Sequence, residues 1–588
     1  MRKLYFIIIF IASISLSNNV NAQKLTITDQ SKSTLSLELK IDDYDIKEIN
    51  DGKEILHEVA LSSITIPNDK GKPNLPSVNH FIAVPNNAKA KVVVNNYKKE
   101  ILKNINIAPS RGIVSEYDTT NSDYIKDSDI YSKDELFPAN IVSITEDINL
   151  RGVEAIGLNI SPIQYNPVKK ELIVYTEIEL SIEYEGGDSK FGDDRLRSMH
   201  WDPILQHNIL NYNSLPEINY SKRFQQWIAD NAEGAEYLII IPDDESIREQ
   251  AQRLADYRNK QGIITKVYSL DEMNAHSHEE IRDWFVDAYN NWDIAPVAVC
   301  ILGDYNIYAK DGIPAFIFDF NEYGEKYISD RPFSDIDDDF IPEIAFSRLS
   351  ADNAEEARIM VDKQINYEFL NPVMDEEFYD RPLLTSAYQQ SKWFQISAAC
   401  LKGHLQTLGK DPNTISMIYY YEGNYNEDTW SSADNSDQVV NYFGPNGLGY
   451  IPATPGEMGG FIEYENSETL PSTISQNPGY IVLNRDHGWY SLWSCPNLRS
   501  SGVRTMTNYD KLPFVLSINC ASGAFNQDDC LTEAFMKLEN AGSVGVIAPT
   551  FETHSYTNDS FLWGVWDFFE NDFLPDYGTS VENNNNYM

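Results

Sequence analysis

From Ala235 onward the chain repeats one pattern: a short, wholly apolar run followed by an amphipathic stretch of helical period. Tyr237 to Pro242 (YLIIIP) precedes a predicted helix from about Glu245 to Gln261 and a second strand, Ile263 to Leu270. A helix from His278 to Trp292 and the strand Pro296 to Leu302 come next. The helix Asn353 to Leu370, the strand Pro382 to Tyr388, the helix Lys392 to Leu408 and the strand Ser416 to Tyr421 continue the series. Strands apolar on both faces, alternating with helices, predict a mostly parallel sheet covered on both sides. Such sheets bind ligands beyond the carboxyl ends of their strands. No glycine-rich phosphate loop follows any of these strands, so a nucleotide site is not expected.

Two further runs of this kind end on reactive residues. Gly479 to Gly488 (GYIVLNRDHG) ends on His487, and Pro513 to Gly523 (PFVLSINCASG) ends on Cys520. A helix from about Leu531 to Asn540 and a strand from Ser543 to Pro549 close the set. A thiol with a pKa of about 8.5 is mostly protonated at neutral pH and becomes a nucleophile only beside a base or a cation. A histidine can take that proton and return it to a leaving amine. The oxyanion formed on attack needs backbone donors, for which the N–H groups of Gly488 and Cys520 are placed by sequence. Glycine after the histidine leaves room for a substrate backbone. Taken singly, each residue has a plainer reading: a buried structural cysteine and a strand-end histidine satisfied by backbone. Cys495, in the loop Trp493 to Pro496, is the rival thiol, and His554 is the rival base. Cys300 and Cys400 read as core, and His276 and His278 as solvated.

Residues 23 to about 190 alternate apolar and polar positions, above all in Glu171 to Tyr184 (ELIVYTEIELSIEY) and also in Thr34 to Ile46, His80 to Pro85 and Lys91 to Tyr97. This predicts an antiparallel sandwich or barrel-like module with a structural or inhibitory role. From Gly186 to about Glu233 the pattern gives way to polar residues around Lys222-Arg223, which reads as a linker with a processing site or as an ordinary connection. At the start, Arg2 and Lys3 precede the apolar run Leu4 to Leu16, and Val20-Asn21-Ala22 suits cleavage before Gln23. That is the pattern of an export signal over residues 1–22. No later stretch approaches the length of a membrane span. The expected product is secreted, extracellular or at the cell surface, and not inserted in a membrane. The 588 residues then divide into the leader, a β-rich domain with linker at 23–223 and a catalytic domain at 224–588.

The net charge is 46 − 89 = −43. So acidic a surface repels phosphate backbones and argues against a nucleic-acid partner. Five cysteines in an exported chain of this length do not make a disulfide framework.

At these residues the chain resembles the gingipain-type cysteine peptidases of family C25, relatives of caspases and legumains. The blocks that carry the resemblance stand in the family's order: YLIIIPDD, then Ser329 to Ser350 (SDRPFSDIDDDFIPEIAFSRLS), His487-Gly488, PFVLSINCASGAF, and Thr532 to Thr550. Lys72-Pro73-Asn74-Leu75-Pro76 and PIQYNPVKKELIVYTEIELSIEY are similar to the family's propeptide. The resemblance implies an α/β caspase- or gingipain-like catalytic domain preceded by an all-β propeptide domain. It implies a zymogen that cuts protein or peptide substrates, with Cys520 as nucleophile, His487 as acid/base and Asp330 as orienter of the imidazole. The propeptide would act as inhibitor until cleavage near Arg223. No cofactor is required for the chemistry, and structural Ca²⁺ is expected, with no ligand set named.

The departures from the pattern concern specificity and the end of the chain. Asp339 matches the segment that carries the acidic specificity group in arginine-specific members. Arg485 stands where the family has a small residue lining the substrate pocket, and Asp486 also replaces a small residue. A guanidinium there would oppose a basic side chain and favour an acidic or small one, so strict Arg/Lys specificity is not expected; the plainer alternative is that Arg485 pairs with Asp486 or Asp339 and leaves the pocket neutral. A negative charge at Asp486 is expected to raise the histidine pKa. The family's catalytic domain continues further than Met588, so this one is expected to be truncated at its C-terminal end. The alternative reading is a catalytically silent member acting in secretion, adhesion or surface binding.

Overall fold

The computed structural model describes residues 23–61, 68–112, 124–306, 312–320, 325–370, 373–420, 422, 424–458, 470–527, 530–569 and 573–574. The expected leader, 1–22, and the segment around Met588 lie outside them. Among the described residues no helix is long and apolar enough to cross a membrane.

The N-terminal module is strand-rich. It comprises β1 (Gln23–Gln30), β2 (Thr34–Ile41), β3 (Asp45–Asn50), β4 (Ile55–Ala60), β5 (Val78–Ala83), β6 (Ala88–Lys103), β7 (Val142–Leu150), β8 (Val153–Ile160), β9 (Ile163–Asn166) and β10 (Glu171–Gly186). One sheet runs β1-β2-β10-β6 with β9 also on β10, a second runs β5-β8-β7, and β3-β4 is a hairpin. Alternation in β2 puts Leu35, Leu37, Leu39 and Ile41 inward, where they meet Leu172, Val174, Ile178, Leu180 and Ile182 of β10 in one core with β5 and β8. A strand with period-two apolarity can bury only one face, so two such sheets pack together. Each fully buried Leu or Ile contributes roughly 1.5–3 kcal/mol. The stretch expected to be a linker is more ordered than its composition suggests. It contains the helices Asp202–Asn208 and Tyr220–Asp230. Arg223 lies inside the second helix, where Nη1 donates to Arg197 O at 2.9 Å.

The C-terminal unit holds two parallel sheets where the sequence suggested one. The first contains β11 (Tyr237–Ile241), β12 (Thr265–Ser269) and β13 (Ala298–Leu302). After an antiparallel pair, β14 (Phe316–Asp319) and β15 (Lys326–Ser329), it is completed by β16 (Ala345–Leu349), in the order β12-β11-β13-β16. The second sheet uses β17 (Leu383–Tyr388), β18 (Asn413–Ile418) and β19 (Ile481–Arg485). A small antiparallel excursion follows: β20 (Gly488–Trp489), β21 (Leu492–Ser494) and β22 (Asn497–Arg499). The sheet then continues with β23 (Phe514–Ile518) and β24 (Gly545–Ile547), in the order β18-β17-β19-β23-β24. The helix Leu531–Lys537 packs between the sheets: Met536 joins the core of β11 and β13, while Phe535 joins that of β19 and β23.

The second sheet reverses direction once. From β17 the chain adds β18 on one side, then crosses to build β19, β23 and β24 on the other. Crevices at such a switch point, beyond the carboxyl ends of the strands, are where α/β sheets bind ligands. β17 and β19 end on either side of it. Both strands are wholly buried, and the helix Phe394–Thr407 that covers them is buried along most of its length. It lies between the sheet and the helix Ser555–Phe569, with Trp393, Trp563 and Trp566 filling the layer.

The N-terminal module is docked on this unit. Arg151 is buried, donating from Nη1 to Pro296 O (3.0 Å) and Glu343 O (2.5 Å), and Trp201 Nε1 donates to Val297 O at 3.1 Å. On another face Arg111 pairs with Asp434, Lys47 with Asp437, and Asn74 Nδ2 donates to Asn435 Oδ1 at 2.6 Å.

Candidate active site

β19 and β23 lie side by side in parallel register, Ile481 opposite Phe514 and Arg485 opposite Ile518. His487 and Cys520 each stand two residues beyond that last pair. The register therefore carries both to the same level of the sheet edge, and chain separation has no bearing on their proximity. Gly488 shows how tightly the two strand ends approach. A Cβ built on it would lie 2.5 Å from Asn519 Oδ1 and 2.9 Å from Cys520 O, inside any tolerable contact. Only glycine fits there.

The imidazole is held on three sides. His487 Nε2 and Gln389 Oε1 are 2.8 Å apart, and Gln389 immediately follows β17 on the far side of the switch point. With its proton on Nε2 the ring donates and the amide oxygen accepts. Phe394 meets the ring edge-on at 5.1 Å between centroids, and Tyr419 lies against it at 4.6 Å.

The thiol sits at the start of a sharp turn. Ala521 has φ +54°, a left-handed conformation that costs a residue with a Cβ on the order of 1 kcal/mol. Its N–H donates to Phe551 O at 2.9 Å, and Gly523 N donates to Pro549 O at 2.8 Å. Cys520 Sγ is 3.7 Å from Thr553 O and 3.9 Å from Thr553 Oγ1. Thr553 is fixed in turn: its hydroxyl donates to Asn519 O (2.6 Å) and accepts from Asn558 Nδ2 (2.6 Å). Beneath the turn Trp493 Nε1 donates to Ser517 Oγ (2.7 Å), which also accepts from Asn519 Nδ2 (3.0 Å). Ser522 Oγ donates to Asn519 Oδ1 at 2.7 Å. Buried polar groups satisfied by one another in this way lock a turn in place.

The other thiols lie in surroundings that suppress reactivity. None of the five cysteines is in a disulfide. Burial pushes the thiols of Cys300 and Cys400 up, and it pushes Cys495 and Cys530 up to about 12. A thiol so shifted is protonated at any physiological pH and is a poor nucleophile. Cys495 sits in the apolar cluster with Ala387 and Phe394. The rival base His554 is exposed, and His276 and His278 face Asp271 and Glu279 at the surface.

Three residues singled out in the sequence have partners of their own. Asp330 is committed to an ion pair: both its oxygens accept from Arg348, at 2.7 Å each. β16 delivers that arginine, and the short helix Arg331–Ser334 delivers the aspartate, so the pair braces the first sheet. Arg485 does not line a pocket. It is fully buried, donating from Nε to Asp559 Oδ1 (2.6 Å) and from Nη2 to Ser555 O (3.0 Å), with its guanidinium 4.1 Å from the Phe394 ring centre. Asp559 arrives on the helix Ser555–Phe569, far along the chain, and this is the partner that neutralises the arginine. Asp486 accepts from Cys495 N.

Asp339 is gathered with Asp335 and Asp337, the carboxylates of all three within 4.8 Å of one another, and it accepts from the N–H of Asn149, in the N-terminal module, at 2.9 Å. Glu343 stands beside this group: Ile336 N donates to its Oε2 at 2.8 Å, while its buried Oε1 and the buried Asp335 Oδ1 have no hydrogen-bond partner. Burial and then the neighbouring carboxylates push Asp337 up to about 6 and Glu343 up to about 9. Arg331 Nη1 pairs with Asp335 Oδ2 at 2.7 Å, and the hard oxygen donors of the remaining carboxylates are of the kind that binds Ca²⁺. Gln389 was not among the residues singled out in the sequence, because an amide after a strand carries no signal of its own. The covering of His487 by helix Phe394–Thr407 was equally hidden.

The sequence matches the model of Peptidase family C25 over residues 230–588 and that of Propeptide_C25 over residues 15–215. The chain therefore belongs to peptidase family C25, a family of gingipain-type cysteine peptidases, and carries the family's propeptide ahead of a gingipain-like α/β unit. Arg223 falls between the two matched regions. Among curated relatives, Gingipain R2 of Porphyromonas gingivalis is 23% identical over 539 residues, covering 90% of this chain and 64% of that protein. Gingipain R1 of the same species is 24% identical over 561 residues, covering 92% of this chain and 49% of that protein. Lys-gingipain W83 is 20% identical over 531 residues, covering 86% and 26%. The chain thus spans from a quarter to two-thirds of the length of these relatives. Among solved structures, the Arg specific cysteine proteinase gingipain R aligns over 60% of this chain and 75% of its own, with a TM-score of 0.45 at 16% identity.

Proposed function

We propose that this chain is the zymogen of an exported cysteine endopeptidase in which Cys520 is the nucleophile and His487 the general acid/base. The observation that carries the reading is the shared register of β19 and β23, which sets the two residues level at the sheet edge beside the switch point. With Nε2 protonated toward Gln389, Nδ1 is the nitrogen that holds the lone pair, and it is assigned the acid/base role. The thiol proton passes from Cys520 Sγ to that nitrogen, and the thiolate adds to the carbonyl carbon of the scissile bond. The oxyanion takes hydrogen bonds from the N–H groups of Cys520 and Gly488. Ser494 N donates to His487 O at 2.9 Å, so in the antiparallel pairing of β20 with β21 the N–H of Gly488 points away from β21. The imidazolium protonates the leaving amine, the C–N bond breaks, and water then hydrolyses the thioester by the reverse proton route.

The docked N-terminal module is read as the inhibitor and 216–230 as the region of activating cleavage, with Arg223 its candidate. A helix must unwind before it can be cut, so the segment Tyr220–Asp230 opens first. Structural Ca²⁺ is assigned to Asp335, Asp337, Asp339 and Glu343, where it would offset the clustered carboxylates, Asp335 and Glu343 buried and Asp337 exposed, and take no part in the chemistry. Export rests on the leader pattern in residues 1–22.

Replacement Cys520→Ala tests the central assignment. Peptide hydrolysis by the matured protein is expected to fall by a factor on the order of 10³ or more, with the fold unchanged by circular dichroism. Alkylation of wild type is expected to fall on Cys520 alone by peptide mapping. The silent alternative draws on one observation, that the group on His487 Nε2 is a neutral amide where a carboxylate was expected. Equal, undetectable hydrolysis by wild type and Cys520→Ala would establish it.

A further inference from the structure

We propose that Phe525, stacked on the ion pair of Arg348 with Asp330, is a positioning residue for the thiol of Cys520. The inference rests on the reading of Cys520 as the nucleophile.

The thiol stands just beyond β23, and the chain turns at once. Ala524 N donates to Ala521 O at 3.2 Å and Gln527 N to Ala524 O at 2.9 Å, so residues 521–527 make two tight turns in succession. On the side of the second sheet, Ala521 N and Gly523 N tie the first turn to Phe551 O and Pro549 O, in the segment after β24. Phe525 belongs to the second turn and is half-buried. Its ring reaches the other way, to groups of the first sheet. The Arg348 guanidinium lies 4.7 Å from the ring centre, and Tyr305, shortly after β13, meets the ring edge-on at 6.4 Å.

The guanidinium is prepared for that contact. Asp330 takes Nε and Nη2 at 2.7 Å each, while Nη1 donates to Gly303 O at 3.2 Å and Ile313 O at 3.4 Å. Donors directed to both ends of its edge fix the plane and leave the face for stacking. With its side chain only 5% exposed, Arg348 attracts an aromatic face more strongly than a solvated cation does. A lysine could offer neither the fork to Asp330 nor the flat face to Phe525. Asp330, Arg348 and Phe525 thereby form one chain of contacts from the first sheet to the thiol turn.

This turn needs an outside support. Ala521 holds φ +54°, a conformation that persists in a residue with a Cβ only where the surroundings impose it. Removing a support lets the turn relax and carries the sulfur with it. A displacement of about 1 Å between reacting atoms costs far more in rate than in substrate affinity.

The test uses the full chain after release of the N-terminal module, with steady-state hydrolysis of a peptide as readout. Wild type and Cys520→Ala are compared first. A wild type that hydrolyses nothing, or a Cys520→Ala protein that still hydrolyses, overturns the nucleophile reading and this proposal with it. With that reading standing, Phe525→Ala is expected to lower kcat about tenfold or more and to change KM less than about twofold. Phe525→Tyr keeps the aromatic face and is expected to hold kcat within about twofold of wild type. Phe525→Leu keeps apolar bulk without that face and is expected to lose about threefold or more. Leu and Tyr both fill the site, so a gap between them is not a failure to fold. Wild-type kcat in the Ala and Leu variants overturns the proposal and leaves the nucleophile reading standing. A raised KM at constant kcat also overturns it, by making Phe525 a substrate contact. Equal losses in the Leu and Tyr variants overturn the role of the stacked face in the same way.

Discussion

Gly488 is the residue on which the two halves of the site converge. Its flesh-and-bone requirement is steric, since any Cβ would fall 2.5 Å from Asn519 Oδ1 and 2.6 Å from its Cγ. Asn519 cannot yield, because Ser517 and Ser522 hold its amide. Gly488→Ala is therefore expected to push β20 away from the turn after β23 and to lower kcat/KM by more than tenfold, measured on a chromogenic peptide. Thermal unfolding should change far less than in a core substitution, because β20 is short and half-exposed. At this scale the sequence was informative about the reacting groups and silent about their supports. His487 and Cys520 stood out because each ends an apolar run. Gln389 and Thr553 did not, since their roles depend on which loop the fold brings alongside. Arg485 was misplaced for a related reason: nothing near it in sequence reveals that Asp559, on a helix seventy-odd residues later, takes its charge.

Among the elements, the loop between the helix Arg331–Ser334 and β16 has the most to gain from a ligand. It folds three aspartates within 4.8 Å and buries Glu343 beside them. Like charges at that spacing repel, more so at the buried Asp335 and Glu343 than at the exposed Asp337, and the ion pair of Arg331 with Asp335 offsets this in part. Removing Ca²⁺ with EGTA is expected to lower the thermal midpoint of the full chain by several degrees, and restoring Ca²⁺ to recover it. Asp337→Asn should blunt that response. Identical melting curves with and without chelator would remove the cation from the loop. The strands of the parallel sheets were legible in advance, because runs apolar on both faces have few other places to go. Their division into two sheets was not. β16 lies in an acidic block whose strand is only half-buried, so its pairing with β13 was masked by composition.

Across the whole molecule the informative surface is the seam between the N-terminal module and the peptidase unit. Glu58 of β4 faces Asp434 and Asp437 across it, with Lys47, Arg111 and the Tyr124 hydroxyl on the same seam. Burial first, then the two facing aspartates, push Glu58 up to about 7, against the pull of Lys47 and Arg111. A carboxyl whose pKa is raised by docking binds its proton more tightly in the docked state. Docking is then strongest below the ordinary carboxylate range and weakens as pH rises toward about 7, levelling off beyond. In Cys520→Ala protein nicked between 216 and 230, retention of the N-terminal module on gel filtration is expected to fall between pH 5 and pH 8. The loss in affinity should be on the order of tenfold or more. Glu58→Gln should flatten the profile. A profile in wild type as flat as in that variant would remove Glu58 as the sensor.

What the sequence determined by itself follows from local periodicity and order along the chain. It contained a strand-rich module, a parallel α/β unit, the strand ends that carry His487 and Cys520, and a set of blocks in the order of a known family. Those are consequences of burial patterns, which each segment encodes in its own residues. Only the tertiary structure decided which groups meet: Gln389 on the imidazole, Asp559 on Arg485, Arg348 on Asp330, and Asp339 with its neighbouring carboxylates. Such pairings depend on the register and crossing of distant strands, and a side chain's charge does not state which partner will cancel it.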